Sequence, residues 1–268
     1  MEKAIKRYFP IFVLPTMIAF TLGFIIPFVE GVYLSFCKFT TVNDAKFIGF
    51  ANYAKVFADE TFVHAFWYTA AFTVVSVILI NVLAFAVALL LTKGFKGTNI
   101  FRTVFFMPNL IGGIVLGYIW QLLLNGILMN FSRTLTYSST YGFWGLIVLM
   151  CWQQIGYMMI IYIAGIQNIP GELIEAAEID GATKWQILKK VTIPMVMPSI
   201  TVCTFLTLTN SFKLFDQNLA LTNGEPSKMS EMLALNIFNT FYGRTGYEGV
   251  GQAKAVIFFI LVTVIALT

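Results

Sequence analysis

The sequence predicts an all-α integral membrane protein that crosses the bilayer six times, and three observations point there. Hydrophobic residues make up 58% of the 268 and charged residues only 11%, where a soluble domain carries about 25% charged. The mean hydropathy is +0.81, and the apolar residues gather in runs that approach or exceed the roughly 20 residues a helix needs to cross hydrocarbon. Between those runs the charges stand in short clusters, which is where topology signals belong.

Taken in order, the spans lie at about 8–36, 64–92, 104–124, 143–166, 195–215 and 253–268, within a single transmembrane domain covering 1–268. In span 1, Pro10, Pro15 and Pro27 predict bends, because each removes a backbone donor. Its start, "MEKAIKRYFPIFVLPTMIAFTLGFIIPF", has the basic head of a signal peptide. The charge-free run from Tyr8 to Val29 is longer than a signal core of roughly 7–15 residues, and no A-x-A site follows; an uncleaved first span is expected. Span 6 ends in a charge-free tail of 14 residues, Ala255 to Thr268. That is short for a crossing, so the last helix is expected to be incomplete in this chain.

Six crossings place both termini on one side. Putting them inside leaves nine of the 17 Lys and Arg inside (Lys3, Lys6, Arg7, Lys93, Lys96, Arg102, Lys184, Lys189 and Lys190), which is nearly even. Placement favours it: three cations precede span 1, and three lie in the short link "KGFKGTNIFR" between spans 2 and 3. Two outer segments are longer than connectors need. "CKFTTVNDAKFIGFANYAKVFADETF" predicts a short helix around Asn52–Phe57, and "LTNGEPSKMSEMLALNIFNTFYGRTGYEGVGQ" has a turn signal at Asn223-Gly224 followed by an amphipathic stretch. They either touch an external partner or seal the outer face of the bundle.

Much chemistry is excluded. One histidine, His64, and three cysteines, Cys37, Cys151 and Cys203, supply no H-E-x-x-H, no C-x-x-C and no disulfide framework, so no metal site and no catalytic residue is expected. A Ser/His/Asp set would have to use that one histidine. No G-x-x-x-x-G-K-[ST] is present, so the chain has no P-loop for nucleotide. The basic residues form no continuous face for nucleic acid. Ion-coupled carriers need ionisable groups inside the membrane, where each costs about 2.5–3.5 kcal/mol at a helix centre. Here the spans are almost free of them, and Glu30 in span 1 and Lys213 in span 5 lie near outer ends, where a side chain can snorkel to water.

One charged segment interrupts the grease: "ELIEAAEIDGATKWQILKKVTIP", Glu172 to Pro194, with four acids and three lysines. Pro170 and Glu172 suit a helix start, and a short helix to about Ile179 follows. Gly181 breaks or bends the path, "ATKWQILKK" forms a second helix with cations at its favourable end, and Pro194 and Pro198 mark the return to the membrane. The product is a helix-turn-helix outside the bilayer, joined to spans 4 and 5.

A bare E-A-A triplet is weak evidence, since all three residues are common helix formers. The full pattern is more specific. Glu175-Ala176-Ala177, Asp180-Gly181-Ala182 and Ile193-Pro194 between the fourth and fifth spans resemble the EAA loop of permease subunits in bacterial binding-protein-dependent ABC importers. "FIGFANYAKVF", "FRTVFFMPNLIGGIVLGYIWQLLL" and "SFKLFDQNLALTNGEPS" extend the resemblance along nearly the whole chain, to the oligosaccharide, maltose-type branch. The resemblance implies the six-helix bundle of a type I importer permease in the cell membrane, both termini cytoplasmic. It implies docking of the loop at 170–194 on a cytoplasmic ATPase, with Glu175 pairing with a cation there, Ala176 and Ala177 allowing close approach, and Gly181 permitting the turn. The partners it implies are a second permease, two ATPase subunits holding ATP and Mg, and an external sugar-binding protein.

A sugar in a membrane cavity needs hydrogen-bonding side chains and flat apolar faces. The mid-span candidates are Gln153, Gln154 and Tyr157 in span 4, and Thr207, Asn210 and Ser211 in span 5. Gln153 and Tyr157 are i and i+4, as are Thr207 and Ser211, so each pair shares a face and the two faces can converge. The resemblance to the maltose system places these residues and Leu214 on sugar-contacting positions, with Leu214 standing where that system has an amide. Helix-to-helix glue is the competing role for such residues. The competing functions are an ABC permease for another polar solute, such as a sugar phosphate or polyol, and an ion-coupled secondary transporter.

Overall fold

A computed structural model describes the backbone of residues 2–94 and 96–267 and the side chains of 8–94 and 96–267. The expected end of span 6 at Thr268 and the side chains of Lys3, Lys6 and Arg7 lie outside these. The described chain is almost wholly helical: α1 (Glu2–Phe20), α2 (Ile26–Leu34), β1 (Cys37–Lys38), β2 (Lys46–Phe47), α3 (Ala51–Phe57), α4 (Glu60–Leu91), α5 (Thr98–Phe106), α6 (Gly113–Met129), α7 (Ser139–Gln167), α8 (Gly171–Ile179), α9 (Lys184–Ile187), α10 (Ile193–Met195), α11 (Met197–Phe212), α12 (Asp216–Leu221), α13 (Leu233–Gly243) and α14 (Glu248–Leu267). Among the described residues four helices are long and apolar enough to cross a membrane: Tyr8–Leu34, Glu60–Leu91, Ser139–Gln167 and Glu248–Leu267. Counting each of two bent helix pairs as one crossing gives up to six.

The chain divides into two compact units, one built from the residues up to Phe62 with Asn236–Thr263, the other from Val63–Leu235 with the residues after Thr263. In the first unit, helix α1 runs on through Pro10 and Pro15, where bends were expected. The irregularity instead precedes Pro27, as a π turn at Thr21–Ile25 in which the Ile26 N–H reaches back to the Thr21 carbonyl. Pro27 has no N–H to give, and its ring crowds the carbonyl four residues back, so the turn widens.

Buried Asn52 on α3 donates to the carbonyls of Ser35 (2.9 Å) and Cys37 (2.8 Å). Gly249 on α14 lies so close that any Cβ there would strike the Cys37 carbonyl and the Asn52 amide.

Lys254 on α14 is 0% exposed, yet its Nζ lies 2.8 Å from each of Asp59 Oδ2, Asn236 Oδ1 and Thr240 Oγ1. The Phe62 ring lies beneath the ammonium, 5.2 Å from Nζ to the centroid. Three donors meeting three acceptors is the condition under which a buried ammonium is tolerated. Asp59 also accepts from the backbone and hydroxyl of Thr61, capping the start of α4.

The second unit packs α4 to α12 around a core that includes Phe72, Ile80, Leu116, Leu146, Leu149, Met158 and Tyr162. Two contacts need glycine. A Cβ at Gly156 on α7 would collide with the Phe105 carbonyl at the end of α5, and one at Gly117 on α6 would sit 2.6 Å from the Ala220 Cβ on α12.

The expected span 104–124 is not one helix: α5 with the 3-10 turn at Met107–Leu110 is bent 103° against α6. Pro108 cannot donate, Ile111 closes the turn on its carbonyl at 3.2 Å, and Gly112 is extended before α6 begins. A second bend of 68° at Val196 separates Lys184–Met195 from α11, with Pro198 near the start of the new helix. Tertiary packing holds these breaks, and periodicity in an all-apolar run does not reveal them.

Candidate functional site

Two constellations in the second unit carry the candidate residues. The first is the charged segment. Helix α8 starts after Pro170 with Glu172 in its first turn and ends in a Schellman motif: Gly181 N–H donates to the Glu178 carbonyl at 3.0 Å and Ala182 N–H to the Ala177 carbonyl at 2.9 Å. The motif requires a left-handed residue, and Gly181 has φ +75°. A capping box then starts α9. Thr183 Oγ1 accepts from the Gln186 N–H at 3.3 Å, and Gln186 Oε1 accepts from the Thr183 N–H at 2.7 Å.

The segment is therefore locally determined at both sides of its turn, and its residues face outward. Glu175, Ala176, Asp180, Gly181 and Pro194 are exposed; Ala177 and Ala182 are half-buried. Nothing lies within 4 Å of where a Gly181 Cβ would stand. Ile179 and Trp185 are 86% and 68% exposed. Sequence alone places Trp185 on a helix face and gives no sign that either residue is an exposed anchor. Two large apolar side chains and the Glu175 carboxylate are thus exposed on one loop, capped at both sides of its turn.

The second constellation is a cavity of about 390 Å³, within the roughly 300–1,000 Å³ of small-molecule sites. Helix α7 supplies Met150 and Gln154, and α11 with the turn after it supplies Asn210, Lys213 and Leu214. Phe215, Asp216 and Gln217, at the start of α12, complete the lining. Gln154 is buried, and its Oε1 has no hydrogen-bond partner among the described residues.

Of the seven expected pathway residues, Gln154, Asn210 and Leu214 line this cavity. Gln153 is buried one residue away and accepts from Gln217 at 2.8 Å, so it positions a lining residue. Tyr157 is half-buried and packs near the Phe106 ring, 6.5 Å between centroids. Thr207 is fully buried, donates to the Cys203 carbonyl at 2.7 Å and faces Asn81, which accepts from Tyr162 at 2.7 Å. Ser211 is fully buried with its Oγ unpartnered.

The two lining faces therefore differ by three residues from those expected: Met150 with Gln154, and Asn210 with Leu214, are the i and i+4 pairs that meet. A three-residue shift turns the face by only about 60° at 3.6 residues per turn, a rotation that apolar runs on every side do not specify. Lys213, read from sequence as a snorkelling cation, lines the cavity with Asp216 and Gln217. Those two stand in "SFKLFDQNLALTNGEPS", a stretch whose residues signal the family resemblance but not a place in the cavity wall.

Residues 80–268 match the model of the family described as the binding-protein-dependent transport system inner membrane component. The chain is similar to the probable starch degradation products transport system permease protein AmyD of Thermoanaerobacterium thermosulfurigenes, 42% identical, covering 96% of this chain and 90% of that one. It is similar to the multiple sugar-binding transport system permease protein MsmF of Streptococcus mutans, 28% identical, covering 99% and 95%. Its fold is that of a chain in a bacterial ABC transporter involved in import of the acidic polysaccharide alginate, with a TM-score of 0.83, 22% identity, and coverage of 99% and 95%. With residues 80–268 matched and a relative 42% identical along nearly the whole chain, the chain belongs to the family of inner membrane components of binding-protein-dependent transport systems, as a multi-pass α-helical ABC importer permease.

Proposed function

We propose that this chain forms half of the translocation pathway for an oligosaccharide, with a second permease forming the other half. An external binding protein delivers the sugar, and two cytoplasmic ATPase subunits, which hold ATP and Mg, drive alternation between outward-open and inward-open states. Both termini and the loop at 170–194 are cytoplasmic in this reading. The chain performs no covalent chemistry itself. The observation that carries the reading is 42% identity along nearly the whole chain to a permease named for starch degradation products, and the polar cavity between α7, α11 and α12 supports it.

The test is uptake by proteoliposomes holding both permeases, the ATPases and the binding protein. Uptake of α-1,4-linked glucose oligomers is expected to require ATP and to survive collapse of ion gradients; uptake that needs a gradient and no ATPase would sink the reading. Alanine at Gln154 or Asn210 is expected to lower uptake while leaving assembly with the ATPases intact.

In this reading the loop transmits the work of ATP hydrolysis, so its stiffness matters more than its contacts with the rest of the chain. At Gly181 a side chain has space but the wrong backbone: a left-handed non-glycine residue costs roughly 1–2 kcal/mol. Gly181→Val is expected to cut sugar uptake by more than about tenfold, by the usual conversion of 1.4 kcal/mol, with ATP hydrolysis persisting. Gly181→Asn, which tolerates this conformation, is expected to stay coupled. Equal transport by Gly181→Val and the parent chain would remove the loop from the coupling path.

A further inference from the structure

We infer that Lys213 and Asp216 set the charge of the carbohydrate admitted to the cavity, selecting uncharged sugars over acidic ones; the inference rests on the carbohydrate reading above. Both residues line one cavity, and neither has an ion-pair partner among the described residues. An unopposed cation in a low-dielectric cleft would concentrate anions. Here a carboxylate stands on the same wall three residues away, so the wall carries donors and acceptors without net charge.

The hydrogen-bonding inventory fits a polyhydroxy ligand. Lys213 offers donors only and Asp216 acceptors only. Gln154, 8% exposed, adds to the same lining a side-chain amide that can both donate and accept. A sugar hydroxyl donates and accepts, and satisfies all three. A sugar carboxylate cannot donate: it would gain Lys213 but face Asp216 with no proton to offer it.

Asp216 and Lys213 are both exposed at this wall, and the backbone of Asp216 is fixed by packing. It begins α12 directly against α6, where a Cβ on Gly113 would come within 2.7 Å of the Asp216 Cβ. Gln217 beside it is held by its 2.8 Å bond to Gln153. Phe215 adds a flat apolar face to the same lining, the surface a pyranose ring stacks on. The fold itself leaves the charge of the sugar open, since the alginate importer shares it.

Helix electrostatics offers the competing account, because Lys213 ends α11 and Asp216 starts α12, each at its favourable pole. Equilibrium dialysis separates the two. The purified complex of both permeases and ATPases, without the binding protein, is titrated with a radiolabelled α-1,4-linked glucose trimer and with the same trimer oxidised to a uronate at one C6. The parent complex is expected to prefer the neutral trimer by about tenfold, the scale of one unscreened charge contact in a partly wet site. Asp216→Asn is expected to abolish or invert that preference, and Lys213→Met to widen it. The exchange Lys213→Asp with Asp216→Lys, which keeps the wall balanced, is expected to retain it.

A ratio unchanged in both single variants overturns the inference, and a loss of thermal stability without a change in ratio assigns both residues to the helix ends. If neither trimer binds the parent complex while binding-protein-dependent uptake of the neutral trimer proceeds, the cavity is not the selective site and the inference falls alone. If no carbohydrate is bound or taken up in either assay, the carbohydrate reading itself fails.

Discussion

Replacing Asp59 by alanine is expected to destabilise the chain by the lower end of the roughly 3–5 kcal/mol seen when one partner of a buried ion pair is removed. The reason is what is lost: Lys254, at 0% exposure, gives up the Asp59 carboxylate 2.8 Å from its ammonium, while Asn236 and Thr240 accept from it as neutral groups. Asp59 keeps 18% of its side chain exposed, so water repairs part of the loss and places the value at the low end. Thermal unfolding of the purified complex is the measurement.

The double variant Asp59→Ala with Lys254→Met is expected to recover most of the stability, because an apolar residue of similar volume often replaces a buried pair at little cost. A double variant no better than Asp59→Ala would show that the ammonium is not the source of the loss. The same pair fixes a pH dependence. Burial would raise the Asp59 pKa, but the hydrogen bonds from Lys254 and Thr61 and the Lys254 charge lower it from 3.8 to about 2. A carboxyl with a depressed folded pKa contributes stability above its unfolded value, and loses it as the pH falls toward 2. The contribution is thus constant near neutral pH and disappears only in strong acid.

Gly156 carries the second large effect. Alanine there places a methyl on the Phe105 carbonyl, and backbone cannot swing aside as a side chain does, so α5 or α7 must move. Overpacking of this kind typically costs about 1–3 kcal/mol and occasionally more; Gly156→Ala is expected to reach that range and Gly156→Leu to prevent isolation of a folded complex. Gly126, also helical, has nothing within 4 Å of the place a Cβ would occupy. Gly126→Ala is therefore expected to be neutral or stabilising, by up to about 1 kcal/mol. Equal Tm shifts in the two alanine variants would rule out helix contact as the reason for Gly156.

How much was legible differs between the loop and the cavity. In the loop, Pro170, Gly181, Thr183 and Gln186 act over three or four residues of chain, through a Schellman turn and a capping box. Local hydrogen bonds of that range follow from residue order, so the sequence located the turn at Gly181 and the helix before it. The exposure of Ile179 and Trp185 was not legible, since an apolar residue in an apolar chain gives no sign of facing water.

The sequence by itself determined the all-α membrane class, the missing P-loop and the family, because these depend on composition and on motifs contiguous in the chain. Only the tertiary structure decided which polar residues share a cavity. Met150 and Gln154, Asn210, Lys213 and Leu214, and residues 215–217 meet there through glycine contacts and the bends at Gly112 and Val196. In a helix apolar on all sides no hydrophobic face sets the rotation. The approach of neighbouring helices sets it, and that is how Gln154 came to line the cavity while Gln153 turned to hold Gln217.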